Sequence, residues 1–512
     1  MKIILNNNFS TPNFRGKTSI RALSDSHQEA RLEAQLLSKI SSEAKRNNNI
    51  LVLNCGDLFG GVYSRDLMVD LYKKFKQINP NVEVVMTIGN NDTISLNDKY
   101  APKNPQDKRS SVQFLKDTIA DFENVGINVV CANLRDKNTN TNPTWIKPYT
   151  MVERDGDRIF VTGFCIDRTA TKELNADIVS QKEAFRELQS AIAKEKPDSI
   201  IILNHDYANT SEEVLEYAKS QGIGIDLFIN GHEHGMESNP SINMYCPGAF
   251  SKSMFEMDLV IQDNLKKLAN IREIESENLP IEKDVEELLS DYEARSGILD
   301  KIAPHTLNLP KQYSSPGALG TFIADGIKEI AQTDVAFFAS NVVRVPLYYK
   351  ENADVLNYDT RKVITFDSTV QKATFSPNEL KDVLSTATEA RLSLGEQNSR
   401  FLQCSNNIKI IGEGNSNDKT YKIKQIYLDG KPLFDKNGEA LEPERQISCA
   451  FDNFIPTDGR SSILQNAKKE DVMLDNKKLR IDEVLKRQLQ AAPKKYEKGT
   501  TYPKFELVET II

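Results

Sequence analysis

The stretch "IDLFINGHEHG" (residues 225–235) joins a short apolar run to a polar ending that contains two histidines. An apolar run of this length, closed by glycine, favours a buried β-strand. Runs this apolar are typical of strands that are buried on both faces. Five other stretches have the same form: "ILVLNCGD" (50–57), "VEVVMTIGN" (82–90), "INVVCANL" (127–134), "RIFVTGFCI" (158–166) and "SIIILNHD" (199–206).

Helical patterns stand between several of these strands, for example at 29–46 and 64–78. The alternation predicts an α/β fold in which a sheet is layered with helices. Farther along the chain the pattern is mixed, with helices predicted at 318–331 and 377–392 and hairpin-like strands around 408–455. We therefore divide the chain into an N-terminal extension (1–16), a layered α/β domain (17–278), a linker helix (279–308) and an α+β domain (309–512).

Composition and charge restrict the partners of this 512-residue chain. Its 65 basic and 73 acidic residues give a net charge of −8, and no dense Lys/Arg cluster is present. We therefore expect no polymeric nucleic acid as a partner, whereas a small anionic ligand in a local pocket is compatible with this charge. No apolar stretch reaches the roughly 18 residues of a membrane span, so we expect no membrane partner. The pattern carries no signal of oligomeric state.

Two further features concern the cellular compartment. The apolar run near the N-terminus is too short for the core of a signal peptide, so we expect a cytoplasmic protein. The six cysteines are scattered singly along the chain. This distribution predicts buried free thiols in a reducing compartment rather than a disulfide framework.

Histidine is rare in this sequence, and four of the five histidines follow an apolar run. His27 lies in "LSDSHQE", which also fits a helix start with a capping box. His205 lies in "NHDY", which also fits an ordinary turn. In "NGHEHG", His232 and His234 are two residues apart, so both imidazoles face the same side of an extended loop while Glu233 points away. This last spacing is the hardest to explain by a turn alone.

Seven polar residues stand at strand ends, where open α/β sheets place their ligands. A mixture of imidazole, carboxylate and amide suits divalent zinc, manganese or iron. Seven ligands exceed one tetrahedral site but suit two metals about 3.5–4 Å apart that share a bridging aspartate. The seven residues are Asp25, His27, Asp57, Asn90, His205, His232 and His234.

The motifs D-x-H, G-D, G-N-N-D, a lone histidine and G-H-x-H, in this order, resemble those of the calcineurin-like metallophosphoesterase family. The resemblance implies that residues 17–278 are a metallophosphoesterase domain with a dinuclear metal centre. In the family's pattern, one metal is held by Asp25, His27 and His234, and the other by Asn90, His205 and His232, while Asp57 bridges them.

Three segments of the C-terminal half resemble the substrate-binding domain of the 5′-nucleotidase family. They are "GALGTFIADGIKEIAQTDVAFFASNVVR" (317–344), "VITFDSTVQKATFSPNELKDVLSTA" (363–387) and "SCAFDNFIPTDG" (448–459). The resemblance implies that Phe366 and Phe454 sandwich a nucleobase, that Asp458 binds the ribose, and that Asn341 and Arg344 bind near the phosphate.

The residue types agree with these roles. Aromatic stacking on a base contributes roughly 1–3 kcal/mol per base and tolerates different bases. An arginine fork suits phosphate better than lysine does. The alternative is that Phe366 and Phe454 are core residues of a β-rich domain.

The metal loop departs from the nucleotidase pattern at two positions. The family's catalytic histidine follows the metal-binding asparagine, and an aspartate three residues later orients it. Here Asn91 and Ile94 stand at these positions. Asparagine donates a hydrogen bond but delivers no proton, and a general acid contributes about 10²–10⁴ in rate. Other acids, namely Asp92, Asp206 and Glu233, are candidates for the proton donor if burial raises the pKa of one of them.

The sequence is consistent with three hypotheses about function. The first, which we favour, is a hydrolase of nucleotide phosphoesters or phosphoanhydrides of the 5′-nucleotidase or UDP-sugar hydrolase type. In it, a water that bridges two metals attacks phosphorus. A phosphoanhydride, as in a nucleoside diphosphate or a nucleotide sugar, suits the loss of the histidine because its leaving group needs little protonation. The second is a nucleotide-binding protein without catalysis, and the third is a structural protein with a vestigial site.

Overall fold

The structure is a computed structural model that describes residues 14–93, 111–166, 175–262, 265–304, 307–312, 315–347, 354–365, 368–394, 401–415, 420–457, 461–492 and 500–511. The chain divides into two compact units, Met1–Ser296 and Gly297–Ile512. In the described part of the chain, no helix has both the length and the apolar character needed to span a bilayer. All six cysteines are buried free thiols, as predicted.

The first unit alternates strands and helices along most of its length. Its strands are β1 (Phe14–Leu23), β2 (Ile50–Asn54), β3 (Glu83–Met86), β4 (Ile127–Val129), β5 (Leu134–Asp136), β6 (Tyr149–Arg154), β7 (Asp157–Cys165), β8 (Ala176–Ile178), β9 (Ser199–His205), β10 (Leu227–Asn230), β11 (Met236–Asn239), β12 (Met244–Pro247), β13 (Ser253–Gln262) and β14 (Leu265–Glu275). Its helices are α1 (Ala30–Ala44), α2 (Arg65–Ile78), α3 (Asn90–Thr93), α4 (Ser111–Asn124), α5 (Gln181–Glu195), α6 (Ala208–Ser220) and α7 (Lys283–Ser296).

Two six-stranded sheets organise this unit. Their strand orders are β14-β13-β1-β2-β3-β4 and β11-β12-β10-β9-β7-β6. Strands β1 to β4 run parallel in the first sheet, and β7, β9, β10 and β12 run parallel in the second. Every one of the six apolar runs coincides with one of these parallel strands. Their carboxyl ends therefore lie together at one edge of each sheet.

The core differs from the predicted single sheet with helices on its faces, because the two sheets share one apolar cluster. Leu51 and Leu53 of β2 belong to the same buried cluster as Ile201 and Leu203 of β9. The alternate residues of the second sheet face outward and pack against α5 and α6. Each strand is thus buried on both faces, as its apolar run predicts, but one of the two faces is covered by the other sheet.

Helix α7, which lies within the segment 279–308, packs against α1 and α2 of the first unit. The Arg31 guanidinium donates two hydrogen bonds of 2.7 Å to the carboxylate of Glu293, which is 5 % exposed. The Tyr63 hydroxyl donates to the same carboxylate at 2.8 Å. A bidentate, half-buried pair of this kind fixes the helix in place more firmly than an exposed ion pair does.

The second unit is an α+β fold. Its strands are β15 (Lys301–Pro304), β16 (Leu307–Asn308), β17 (Val335–Ala339), β18 (Asp354–Leu356), β19 (Val370–Phe375), β20 (Leu402–Cys404), β21 (Ile408–Asn415), β22 (Thr420–Leu428), β23 (Lys431–Pro432), β24 (Ile447–Asp452), β25 (Glu470–Asp471), β26 (Met473–Leu474), β27 (Lys477–Lys478), β28 (Thr500–Thr501) and β29 (Glu506–Ile511). Its helices are α8 (Ala318–Ala331), α9 (Asn357–Val363), α10 (Pro377–Leu394), α11 (Ser462–Asn466) and α12 (Ile481–Ala491).

Two sheets form the centre of this unit, in the orders β20-β17-β24-β19-β25 and β23-β22-β21-β29. Helix α8 occupies the range predicted for it and contributes Leu319, Phe322 and Ile323 to the core. Strands β17 and β24 are adjacent and parallel. The residues that follow these two strands therefore meet at one edge of the five-stranded sheet.

Candidate metal centre

The seven polar residues of the first unit stand where parallel strands end, and the structure brings them together. Asp25 and His27 follow β1, Asp57 follows β2, and Asn90 follows β3. His205 is the last residue of β9.

His232 and His234 follow β10 in the second sheet. The first three strands and the last two belong to different sheets. The site is therefore assembled where the carboxyl ends of the two facing sheets meet.

A first group consists of Asp25, His27, Asp57 and His234, whose ligand atoms all lie within 4.8 Å of one another. The Nε2 atoms of His27 and His234 are 3.0 Å apart. Nε2 of His234 is 3.4 Å from Oδ1 of Asp25, and Nε2 of His27 is 3.8 Å from Oδ2 of Asp57. Two ring nitrogens and two carboxylates thus converge on one point.

A second group lies on the other side of Asp57. Nε2 of His205 is 3.3 Å from Oδ2 of Asp57 and 3.3 Å from Oδ1 of Asn90. Nδ1 of His232 is 2.9 Å from the same Asn90 oxygen. Oδ2 of Asp57 therefore faces a histidine of each group, which is the arrangement expected of a bridging carboxylate.

The backbone at these residues adopts an uncommon conformation. Asp25, His27, Asp57, His232 and His234 all have positive φ, between 47° and 74°. Aspartate, asparagine and histidine tolerate this left-handed region better than most residues, but it still costs energy and persists only where the surroundings enforce it. Its concentration at one site indicates that the loops are shaped for the positions of their side chains.

Backbone groups also orient the ligands. Nδ1 of His205 lies 2.6 Å from the carbonyl oxygen of Cys55, so Nδ1 donates to it and Nε2 faces Asp57. The backbone N–H of His232 donates to both carboxylate oxygens of Asp25, at 3.0 and 3.1 Å. Metal-binding histidines are commonly held in this way by a second hydrogen bond.

The electrostatics of the cluster favour a bound cation. Burial raises the pKa of Asp25 to about 7, and the nearby Asp57 carboxylate adds to this effect. Burial also disfavours the charge of Asp57, but His205 and His27 outweigh it and hold its pKa well below the usual value. Burial alone would lower the pKa of His205, whereas the two carboxylates raise it to about 10. Two buried carboxylates thus draw positive charge into the site, which divalent ions would supply.

The donor set fits such ions. Imidazole nitrogens, carboxylates and an amide oxygen bind zinc, manganese or iron, and no thiol is among the seven ligands. The seven residues form two groups around the shared Asp57 carboxylate, and these groups would hold such ions. The helix-start alternative for His27 is wrong, because α1 begins at Ala30 and the cap residue Glu29 makes no side-chain capping bond.

Glycine is required at position 89 by a close approach to the bridging aspartate. A Cβ atom there would lie 2.1 Å from Oδ1 and 2.5 Å from the backbone nitrogen of Asp57. We expect Gly89→Ala to lower the free energy of unfolding by about 1–3 kcal/mol, as overpacking does, and to weaken metal binding. Thermal unfolding and metal content would be measured together.

The matched control is Gly224→Ala, because a Cβ at Gly224 meets no atom within 4 Å. If Gly89→Ala binds metal as the wild-type protein does, the tight contact between these loops is not needed for the site.

Asn91 lies directly on the bridging aspartate. Its backbone N–H donates to Oδ1 of Asp57 at 2.7 Å, and its side-chain amide donates to Oδ2 at 2.6 Å. The amide thus orients Asp57. It carries no group that could protonate a leaving oxygen.

The three acids considered as alternative proton donors have other contacts. Burial, with a contribution from Asp57, raises the pKa of Asp92 to about 6, but its carboxylate accepts backbone N–H bonds from Asp57, Phe59 and Gly89. Asp206 accepts from the backbone of Tyr207 and from a glutamine side chain. These acids hold loops in place.

Glu233 points away from the cluster, as its position between two histidines predicts. Its carboxylate accepts the backbone N–H of Ala208, at the start of α6, at 2.9 Å. A carboxylate is favourable at this end of a helix.

Two aromatic residues at the site were not predicted from the sequence. The Phe250 ring lies 5.1 Å from that of His27 and 5.4 Å from that of His234, and its backbone N–H donates to the Asp25 carbonyl at 2.7 Å. Tyr207, which is 38 % exposed, lies edge-on to His232 at 5.1 Å. In the sequence, Tyr207 directly follows "NHD", and Phe250 lies two residues after Gly248, the residue that follows β12.

The second unit holds the residues assigned to nucleotide binding. Asn341 and Arg344 follow β17, and Phe454 follows β24, so they lie at the shared edge of these strands. Phe454 is 42 % exposed and is therefore not a core residue. Phe366 and Asp458 lie outside the described residues, as does Ile94.

Comparison with known proteins identifies both halves of the chain. Residues 18–236 match the family described as calcineurin-like phosphoesterase. Residues 298–465 match the family described as 5′-nucleotidase, C-terminal domain. Together the two matches cover most of both units.

Individual relatives are distant in sequence. The trifunctional nucleotide phosphoesterase protein YfkN of Bacillus subtilis (strain 168) is 22% identical over 418 residues, which are 70% of this chain and 27% of that protein. The chain thus spans about a quarter of the length of this curated relative.

Solved structures share the fold. A 5′-nucleotidase precursor from Thermus thermophilus is 15% identical, with a TM-score of 0.68 over 96% of this chain and 99% of that one. The sulfate thiohydrolase SoxB of the same organism is 14% identical, with a TM-score of 0.60 over 94% and 83%. Proteins named for different substrates share the fold, so the fold alone does not give the substrate. The two matches identify the domains: the chain joins a calcineurin-like phosphoesterase domain (residues 18–236) to a 5′-nucleotidase C-terminal domain (residues 298–465).

Proposed function

We propose that this protein is a metal-dependent hydrolase of nucleotides that uses two divalent ions, and that it acts on phosphoesters or phosphoanhydrides. The observation that carries the proposal is the position of Asp57, whose Oδ2 lies 3.3 Å from Nε2 of His205 and 3.8 Å from Nε2 of His27. One carboxylate oxygen thus faces both groups of ligands, which suits an ion on each side.

The side chains of the first unit have defined tasks in this proposal. Asp25, His27 and His234 would hold one ion, Asn90, His205 and His232 would hold the other, and Asp57 would contact both. When bound, the two ions stabilise charge on phosphoryl oxygens and lower the pKa of water. The protein fixes the ligand positions before substrate arrives, so little reorganisation is needed during reaction.

The chemistry of Asn91 favours substrates whose leaving group needs no protonation. It donates to Asp57 and delivers no proton. A nucleoside 5′-alkoxide needs protonation as it leaves, whereas a phosphate released from a phosphoanhydride does not. We therefore place nucleoside diphosphates and nucleotide sugars above nucleoside monophosphates as substrates.

Nucleotide recognition is assigned to the second unit. The side-chain oxygen of Asn341 is buried and has no hydrogen-bond partner within the described residues. A buried acceptor of this kind is costly unless it binds a donor, which a ligand hydroxyl would supply. The exposed ring of Phe454, at the same edge of the sheet, offers a face for a base.

The test is phosphate release by protein reconstituted separately with Mn²⁺ and Zn²⁺, from AMP, ADP and a UDP-sugar. We expect release from ADP or the UDP-sugar to exceed release from AMP. The proposal is wrong if metal-loaded protein that binds nucleotide releases phosphate from none of them. The curated relative YfkN is named a nucleotide phosphoesterase, so a binding protein without catalysis has no support from it.

A further inference from the structure

A buried carboxyl group lies behind the metal ligands. Glu33, in the first turn of α1, is fully buried. Its Oε2 accepts hydrogen bonds from the hydroxyls of Ser26, at 2.9 Å, and Ser251, at 2.7 Å. Its Oε1 accepts from the Tyr72 hydroxyl. Burial raises the pKa of Glu33, so keeping an acid here costs free energy that an apolar side chain would not.

The two serines belong to loops that carry the first group of ligands. Ser26 lies between Asp25 and His27 in the chain. Ser251 follows Phe250, whose ring contacts the rings of His27 and His234. A single oxygen of Glu33 therefore ties two loops that meet at the metal ligands.

Tyr72 extends this tie to the third loop. Its hydroxyl accepts a hydrogen bond from Nδ2 of Asn54 at 2.9 Å, and Oδ1 of Asn54 accepts the backbone N–H of Gly56 at 3.0 Å. Gly56 precedes the bridging Asp57. The buried network thus reaches the loop of Asp25 and His27 and the loop of the bridging Asp57 through hydrogen bonds. It reaches His234 indirectly, through the ring of Phe250.

These loops need such support because their backbone is strained. Asp25, His27, Phe250 and Ser251 all have positive φ, between 47° and 63°. For a phenylalanine this conformation is a genuine outlier, and it persists only where several contacts hold it. The hydroxyl bonds to Glu33 act at both strained segments.

We propose that Glu33 is a positioning residue for the first metal group, which sets the directions of Asp25 and His27 through Ser26 and Ser251. The proposal rests on the metal-dependent function proposed above. The second group is held differently, by the Cys55 carbonyl on His205. Loss of Glu33 therefore weakens binding of the ion in the first group more than binding of the other ion.

The experiment is titration of metal-free protein with Mn²⁺ by calorimetry, for the wild type, Glu33→Leu and Glu33→Gln. We expect Glu33→Leu to weaken one of two binding equivalents about 10–100-fold, the range seen for supporting residues of metal sites, and to weaken the other much less. Glu33→Gln keeps one acceptor and is expected to recover most of the affinity.

The matched control is Asp157→Asn. Asp157 is a buried acid with a raised pKa that accepts from the Ser199 hydroxyl, but it lies at the amino end of β7, at the opposite edge of the sheet. We expect wild-type metal binding from this variant. Thermal unfolding in EDTA shows that each variant is folded, and Ser26→Ala with Ser251→Ala replaces Glu33→Leu if the latter does not fold.

Two results overturn the proposal, and they differ. If wild-type protein binds no Mn²⁺, the proposed function fails and the role of Glu33 fails with it. If wild-type protein binds two equivalents and folded Glu33→Leu binds both with unchanged affinity, only the role of Glu33 is wrong. A loss of both equivalents to the same extent also contradicts it, because it indicates a general loss of structure.

Discussion

Asp57→Asn is expected to lower metal-dependent phosphate release at least about 10³-fold, which corresponds to about 4 kcal/mol of transition-state stabilisation. The reason is that one carboxylate faces both ligand groups, through Nε2 of His205 at 3.3 Å and Nε2 of His27 at 3.8 Å. The asparagine side chain has nearly the same volume as that of aspartate but carries no charge. Removing one electrostatic stabiliser from an active site typically lowers the rate about 10²–10³-fold. Here the substitution also weakens the binding of both ions.

The measurement is kcat/KM for ADP together with metal content per chain. Asp157→Asn is again the control, because it removes a buried charge at the opposite edge of the sheet. We expect this control to retain activity and metal. If Asp57→Asn keeps both metal equivalents and wild-type turnover, Asp57 does not bridge the two groups.

Asn91→His is expected to raise hydrolysis of AMP by about 10–100-fold and to change hydrolysis of ADP little. A histidine at this position supplies the proton that a nucleoside alkoxide needs, and a general acid contributes about 10²–10⁴ in rate. The gain stays below the upper end of that range, because Ile94 stands where the family has an aspartate that orients the histidine.

The control for this variant is Asn91→Gln, which keeps amide chemistry on a longer side chain. We expect it to give no gain on AMP. The comparison uses initial rates at saturating metal, with both substrates measured on the same preparation. An equal change on AMP and ADP would show that position 91 does not act on the leaving group.

Local sequence patterns predicted most of the elements and the residues that the structure brings together at the candidate metal centre. The helix expected at 318–331 spans Ala318–Ala331, and each of the six apolar runs coincides with a parallel strand. The proximity of residues such as Asp57 and His205 could be predicted because parallel strands place their carboxyl ends at one edge of a sheet. A continuous apolar run indicates that both faces of a strand are buried.

Local sequence does not show which helix or sheet packs against a given face of a strand. The pairing of β1 with β13 joins residues such as Ser19 and Asp258, and no short-range pattern signals it. The packing of one sheet on the other was missed for the same reason. Glu33 was missed because an acid on a helix normally indicates a solvated face, whereas here three hydroxyls allow its burial.

The dependence of activity on the number of bound ions tests the central claim most directly. Metal-free protein would be loaded with increasing equivalents of Mn²⁺, and phosphate release from ADP would be measured at each step, with EDTA added at the end. We predict little release at one equivalent, full release at two, and loss of release with EDTA. Release without metal, or full release at a single equivalent, would contradict a site built on two ions that share Asp57.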